Sequence, residues 1–355
     1  MKLLHIADCH LDAAMEAHLP KKAAEERRGE LRLTFRTALS LIEKENIEAV
    51  LLAGDIFDTA SPSAETLRYV CDAMAAYPSV PFLIIEGNHD KGAWGKADLP
   101  TNAVLASSSN FSTLSFPSVA IHGLSYPYFQ DSFTSLPFEE GKENFYLLHG
   151  TIHTSYQDES SITEKVFLEK KTAHILLGHY HAYRHEVISG GVHYCYAGTP
   201  EGRGFDETGE CGAVIWDSEA PFLPRFQKLA LRTLHTVSLS LSELDSQAAL
   251  EDEVTAATAH IAQKDMLRLL LTGSYKETFH KNVKQLESLL ALRFYFVRVK
   301  DESHLAISYE DYKHDVSLKG EFVRSVLSSS LPEEEKERVL LYGLRALRGE
   351  TPDKG

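Results

Sequence analysis

Apolar residues follow two rhythms along the first half of the chain. Residues 2–7, 49–53 and 80–85 are short apolar runs of strand length, and each ends in a polar cluster. Between the first two runs Leu31, Phe35, Leu39 and Ile42 recur at helical spacing, which predicts a helix over 22–45; another is predicted over 63–76. Strand–helix–strand–helix alternation implies an α/β sheet with right-handed crossovers. Beyond residue 110 the helical rhythm stops. Runs at 119–123, 144–148, 174–177, 184–188, 192–196, 212–216 and 225–229 are separated by Gly, Pro, Asn and Ser and predict a second, more antiparallel sheet. The fold class is therefore α/β, a two-sheet sandwich flanked by helices over 1–232. Strands at 236–241, 266–272 and 293–299, with helices over 243–263 and 275–291, predict a small α+β unit over 233–312. Helices over 318–328 and 332–347 complete a segment 313–355, with Pro332 suited to a first turn.

Composition narrows the class. The 355 residues are 43% hydrophobic and 25% charged, ordinary for a globular chain of about two domains. A net charge of −15 excludes nucleic-acid binding by bulk charge, while leaving room for a local basic groove or for cations among the acids. No uncharged apolar run approaches the roughly 18–20 residues of a membrane helix. The start reads as a strand ending in Asp8, which argues against a signal peptide. Cys9, Cys71, Cys195 and Cys211 are scattered without a CxxC pair, so a reduced cytoplasmic protein is expected, with no disulfide framework.

The chemistry sits at strand ends. The first strand ends in Asp8-Cys9-His10, the second in Gly54-Asp55-Ile56-Phe57-Asp58 and the third in Gly87-Asn88-His89-Asp90. Those at 144–148 and 174–177 end in His149-Gly150 and Gly178-His179-Tyr180-His181. The carboxyl edge of an open α/β sheet is where ligands bind. In extended backbone, residues i and i+2 share a face, so Asp8 and His10 are expected to project together, as are His179 and His181. Asp8, His10, Asp55, Asn88, His149, His179 and His181 offer nitrogen and oxygen ligands and no thiolate. That set exceeds one tetrahedral zinc and suits two divalent ions, with manganese, iron or zinc favoured over copper(I) or an iron–sulfur cluster and manganese the first expectation. Two adjacent cations would lower the pKa of a bridging water and supply hydroxide at neutral pH. Asp58 and Asp90 are read as groups that orient a histidine or cap a turn. His5, His122, His174, His185 and His193 lie inside predicted strands and are read as satisfied core or surface histidines.

In combination these motifs resemble the calcineurin-like metallophosphoesterase superfamily. The resemblance implies one ion on Asp8, His10 and His181, a second on Asn88, His149 and His179, and Asp55 bridging. It places His89 beside the leaving group, as the residue that protonates the leaving oxygen or stabilises its charge. Asp8-Cys9-His10-Leu11-Asp12 and the segment from Tyr196 to Glu207 are similar to SbcD-type DNA repair exonucleases, most of all a YhaO-like branch, although the family often has Gly where Asp12 stands. This implies a metal-dependent DNA exonuclease or endonuclease, working with an SbcC-like ATPase of the SMC class and carrying a small capping domain. It also implies a homodimer through helices near 63–76 and 99–107. A phosphodiesterase or phosphatase acting on nucleotides or other small phosphoesters is the alternative. Arg203 and Lys91 are the candidate substrate contacts. Lys21, Lys22, Arg27, Arg28, Arg32 and Arg36 offer a basic helix face interleaved with Glu25, Glu26 and Glu30. In the tail, Phe322, Val323, Val326 and Leu327 make one apolar stripe and Val339, Leu340, Leu344 and Leu347 another, for core packing or a partner.

Overall fold

The computed structural model of the chain describes residues 1–15, 19–168, 173–188, 191–219, 223–276, 278–306 and 309–347. The chain forms two compact units, Met1–Thr233 and Leu234–Gly355. Unit 1 begins with β1 (Lys2–Ile6), α1 (Lys21–Leu39), α2 (Leu41–Glu45), β2 (Ala49–Ala53), α3 (Ala64–Ala75), β3 (Phe82–Ile85), a 3-10 turn at Ala93–Lys96, β4 (Ala103–Leu105) and β5 (Ser112–Ser115). It continues with β6 (Val119–Gly123), β7 (Glu143–His149), β8 (Thr151–His153), β9 (Ser161–Thr163), α4 (Lys165–Leu168), β10 (Ala173–Gly178), β11 (Arg184–Ile188), β12 (Val192–Tyr196), β13 (Gly212–Asp217) and β14 (Arg225–Lys228).

Two six-stranded sheets result, ordered β14-β13-β1-β2-β3-β4 and β11-β12-β10-β7-β6-β5. In the first, β1 to β4 run parallel and β13 closes antiparallel on β1. In the second, β6, β7, β10 and β12 are parallel, and only the edge strands β5 and β11 are antiparallel. The second sheet is thus less antiparallel than the sequence suggested. Among the described residues its crossovers are mostly loops, so the helical rhythm that announces a parallel pair is missing. Two further expectations change. The predicted helix over 22–45 breaks at Ser40 into α1 and α2. Residues 99–107, expected to be helical, hold β4, so only α3 of the two helices implied for a dimer is formed.

The sheets face each other across one core. Leu3, Ala7, Leu51 and Leu83 of the first meet Ile121, Phe145, Leu147, Leu176 and Cys195 of the second. The second sheet's other face buries Tyr146, Leu148, Ile175 and Leu177 against Tyr128, Phe133 and Phe167. Central strands are buried on both faces, which is why 49–53 reads Ala-Val-Leu-Leu-Ala with no alternation. Each such Leu or Phe side chain contributes about 1.5–3 kcal/mol by leaving water.

Unit 2 contains β15 (Leu234–Ser240), α5 (Gln247–Ala257), β16 (Met266–Thr272), β17 (Ser274–Tyr275), α6 (Val283–Ala291), β18 (Phe296–Asp301), β19 (His304–Leu305), α7 (Tyr309–Tyr312), α8 (Leu318–Leu327) and α9 (Glu333–Leu347). The strands β15, β16 and β18 form a parallel sheet. Leu250 and Val254 of α5 and Leu286 and Leu290 of α6 share its core with Leu267, Leu269 and Leu271. Both helices start later than predicted, because Ser246 and Asn282 cap them by accepting from the N–H groups of Ala249 and Gln285. The tail stripes divide: Val323, Val326, Leu340 and Leu344 pack α8 on α9, while Val339 and Leu347 are exposed. No helix among the described residues is long and apolar enough to cross a membrane.

Candidate metal centre

The five polar strand ends meet at the carboxyl edges of the two sheets, but extended backbone does not bring them there. β1 ends at Ile6, and Asp8, His10 and Asp55 adopt φ of 51°, 44° and 50°, in the left-handed region. Hydrogen bonds between the two loops hold this conformation: Asp8 N to Gly54 O at 3.1 Å, His10 N to Asp55 O at 2.9 Å and Leu11 N to Ile56 O at 2.9 Å. Asp8 and His10 still converge, with His181, so that one ligand atom from each lies within 4.8 Å of the others. His179 and His181 do not project together. His179 has φ 101° and its Nδ1 lies 3.1 Å from Asn88 Oδ1, whereas His181 Nε2 lies 3.2 Å from His10 Nε2.

Proton accounting tests whether cations fit. His10 Nδ1 donates to Asp58 Oδ1 at 2.9 Å, and His181 Nδ1 lies 2.7 Å from Glu207 Oε1. Each ring therefore carries its proton on Nδ1, and the two Nε2 lone pairs face each other at 3.2 Å. His149 repeats the pattern. Its Nδ1 donates to the Ala53 carbonyl at 2.8 Å, leaving Nε2 against Asp55 Oδ2 at 3.3 Å and Asn88 Oδ1 at 3.1 Å. Asp55 Oδ2 also lies 3.8 Å from His10 Nε2, so one carboxylate oxygen faces both groups. Buried acceptors turned on one another are unfavourable unless a positive charge lies among them. The donor set fits two divalent cations.

Electrostatics agree. Burial pushes Asp8 up to about 6 and His10 down to about 4. Burial alone would lower His149 too, but Asp55 and Asp8 raise it to about 9, so without a metal a proton holds the place among the carboxylates. Close approach is built into the turns. A Cβ on Gly178 would lie 2.1 Å from Ala53 O and 2.7 Å from His149 Nδ1, and one on Gly87 would lie 2.3 Å from Asp55 Oδ1.

The remaining expected residues take distinct places. His89 is exposed at the rim, its N–H donating to Asp55 Oδ1 at 2.8 Å and its ring edge-on to His10 at 4.9 Å. Asp58 orients His10. Asp90 is fully buried and accepts from the N–H groups of Gly87 and Ile56 at 2.7 and 2.8 Å, so it clamps the second and third strand-end loops. Arg203, read from sequence as a substrate contact, turns its guanidinium to Asp58 at 2.9 Å and Glu207 at 2.6 Å. Lys91 is exposed, 5.9 Å from the Tyr126 ring. Arg27 leaves the basic face altogether: it is fully buried against Glu201 at 2.8 Å and Glu30. Arg32 binds Glu65 and Thr66. Asp12, at φ 70°, accepts from Ser63 N and Thr66 Oγ1, which ties the first loop to the start of α3. His122 is satisfied in the core by Thr113 and Asn144.

Sequence reasoning missed three contributors: Glu207, the Tyr128 hydroxyl that accepts from His149 N at 2.7 Å, and the buried Glu201. Glu201 and Glu207 both lie in the segment that resembles the SbcD-type exonucleases, where only Arg203 stood out as a charge that could meet substrate.

Comparisons with known proteins point the same way. Over 306 residues the chain is 24% identical to YhaO, an uncharacterized metallophosphoesterase of Bacillus subtilis, spanning 78% of this chain and 73% of that protein. It is 25% identical over 229 residues to the DNA double-strand break repair protein Mre11 of Methanopyrus kandleri, spanning 57% of this chain and 49% of that protein. It is 31% identical over 94 residues to the SbcD component of nuclease SbcCD of Rhodobacter capsulatus, spanning 25% of this chain and 22% of that protein. Among solved structures, a dimetal phosphatase from Danio rerio matches with a TM-score of 0.41 at 13% identity, over 61% of this chain and 91% of that one. The family model of the calcineurin-like phosphoesterases matches residues 1–210, the stretch that supplies every histidine, carboxylate and amide of the centre, and the chain belongs to that family.

Proposed function

We propose that the protein is a metal-dependent DNA nuclease of repair, hydrolysing phosphodiesters at or near ends. The observation that carries the reading is the convergence of seven nitrogen- and oxygen-bearing side chains, three of whose imidazoles turn their Nδ1 protons outward, beside an exposed histidine. Asp8, His10 and His181 would hold one ion, Asn88, His149 and His179 the other, with Asp55 facing both. Bound there, two divalent ions neutralise phosphodiester charge and lower the pKa of a water. Manganese suits this mixed imidazole and carboxylate set.

The chain's own residues do the rest. Ala53 O, Asp58 and Glu207 keep the Nδ1 protons of His149, His10 and His181, so that all three Nε2 atoms point inward. His89 Nδ1 lies 3.4 Å from the Asp58 carbonyl, an acceptor, so Nδ1 carries one proton and Nε2 delivers a second to the leaving oxygen only from the imidazolium form of the ring. Lys91 offers a cation at the same rim. Two relatives bear on the substrate, one described as a DNA double-strand break repair protein and one as part of a nuclease. On that basis the partner is an SbcC-like ATPase. Its contact is the exposed apolar side of α9, with Val339, Tyr342 and Leu347, and the α+β segment 233–312 is the capping domain.

The test is hydrolysis of end-labelled DNA with Mn²⁺ and separately with Mg²⁺, beside bis-p-nitrophenyl phosphate. The His89→Asn variant is expected to bind both ions and to lose about 10²–10⁴-fold in turnover, the usual contribution of a positioned acid. Full turnover in that variant removes His89 from the chemistry. Hydrolysis of the small diester with intact DNA, in the presence of the ATPase, moves the assignment to a small-phosphoester phosphodiesterase.

A further inference from the structure

The two ion positions are supported differently. Asp58 Oδ1 accepts from His10 Nδ1 at 2.9 Å and, at the same oxygen, from Arg203 Nη1 at 2.9 Å. Glu207 Oε1 faces His181 Nδ1 at 2.7 Å and accepts from Arg203 Nη2 at 2.6 Å. One guanidinium thus bridges the two carboxylates that orient two imidazoles. The Arg203 backbone N–H donates to Glu207 Oε2 at 2.6 Å and fixes that carboxylate's other oxygen. The preceding carbonyl, Gly202 O, accepts from the buried Arg27 at 2.5 Å, so the bridge rests on a fixed backbone. Glu207 is almost wholly buried, with its side chain 3% exposed. At the other position, His149 is oriented by a main-chain carbonyl, and Asn88 and His179 face each other directly.

We propose that Arg203 and Glu207 are positioning residues that set the affinity of one ion position, the one formed by Asp8, His10 and His181. The proposal rests on the two-ion reading of the site and is independent of which phosphodiester is cut. Its physical basis is the planar fork of arginine. Two diverging N–H edges hold two carboxylates at a fixed separation, and these hold the two rings with Nε2 atoms 3.2 Å apart. Without the bridge the rings keep their identity and lose their mutual aim. Outer groups of this kind are worth about 10–100-fold in metal affinity.

The experiment is a Mn²⁺ titration of the metal-stripped full-length chain by calorimetry, with low-temperature electron paramagnetic resonance to detect spin-coupled ion pairs. The wild type is expected to bind two ions and give the coupled signal. Glu207→Ala should weaken one ion about 10–100-fold, leave the other within about twofold, and lose the coupled signal at stoichiometric Mn²⁺. Glu207→Gln should fall between, because its amide oxygen still accepts from His181 Nδ1 while its NH₂ replaces the oxygen that accepts from the Arg203 backbone N–H. Arg203→Lys keeps the charge but cannot span both carboxylates, and should resemble Glu207→Ala. Metal-free melting of Glu207→Gln and Arg203→Lys near the wild-type temperature shows that the fold is intact, and these two carry the test if Glu207→Ala does not fold. Equal weakening of both ions, no weakening of either, or Glu207→Gln as poor as Glu207→Ala overturns the proposal. A wild type that binds a single ion overturns the two-ion reading itself, and the proposal with it.

Discussion

Asp90 shows how much a single buried carboxylate organises. Its oxygens take the N–H groups of Gly87 and Ile56, with Phe57 N at 3.4 Å, so it joins the loop that carries Asp55 to the loop that carries Asn88. Asp90→Asn keeps the volume but turns one oxygen into an NH₂ facing a backbone N–H. A buried donor facing a donor costs about 1–3 kcal/mol. The expected outcome is a loss of about 2 kcal/mol of stability, read as a lowered urea midpoint, with Mn²⁺ still bound at saturating concentration. An unchanged midpoint would show that these N–H groups have other partners. At this scale the residues that gather at the strand ends were readable, because acids, amides and histidines at five strand ends are costly for plain turns. The supporting carboxylates were not. Glu207 becomes a partner of His181 only because the chain returns after a glycine-rich segment, and Arg27 sits in a helix face whose charge pattern looks solvated until Glu201 arrives from a distant part of the sequence.

Between elements, the contact that most restricts the site is the approach of β10 to β2. At the end of β10, Gly178 brings its Cα against the Ala53 carbonyl, the group that also receives the His149 Nδ1 proton. A methyl group there would lie 2.1 Å from a backbone oxygen of the facing sheet, and backbone yields less readily than a side-chain tip. Gly178→Ala is therefore expected to part the two strand ends. It should lower stability by more than about 2 kcal/mol and reduce bound Mn²⁺, measured by metal content after gel filtration. Wild-type metal content would mean that the two sheets can separate without disturbing His149. The longer strands were legible from apolar runs, while the short strands β4, β5, β8, β9, β17 and β19 were not. Strand direction in the second sheet was not, since among the described residues no long helix connects β6 to β7 or β7 to β10. The pairing of Asp8 with His10 was anticipated for the wrong reason. Two residues apart in a strand would share a face, yet here both have left-handed backbone, and the cross-loop hydrogen bonds to Gly54 and Asp55 do the aiming.

For the whole molecule, the division into two units with separate cores makes metal binding a local source of stability. All seven proposed ligands lie in unit 1. So do both tryptophans, Trp94 and Trp216, each buried, so intrinsic tryptophan fluorescence follows unit 1 alone while far-ultraviolet circular dichroism follows both units. An ion at a hundredfold excess over its Kd stabilises the folded form by about 2.7 kcal/mol, and two such ions by about twice that. For a unit of this size each kcal/mol moves the melting temperature by about 2–4 °C, so Mn²⁺ should raise the fluorescence transition by roughly 10–20 °C over the metal-stripped protein. The dichroism curve should divide into one component that moves with fluorescence and one that stays, because all seven proposed ligands belong to unit 1. His149→Ala removes the imidazole that holds a proton in the metal-free state, and should abolish most of the Mn²⁺-dependent shift while leaving the stationary component unchanged. If both components rise together in Mn²⁺, the units melt as one cooperative body. If neither moves, the inward-facing lone pairs of His10, His149 and His181 are satisfied by something other than a divalent cation.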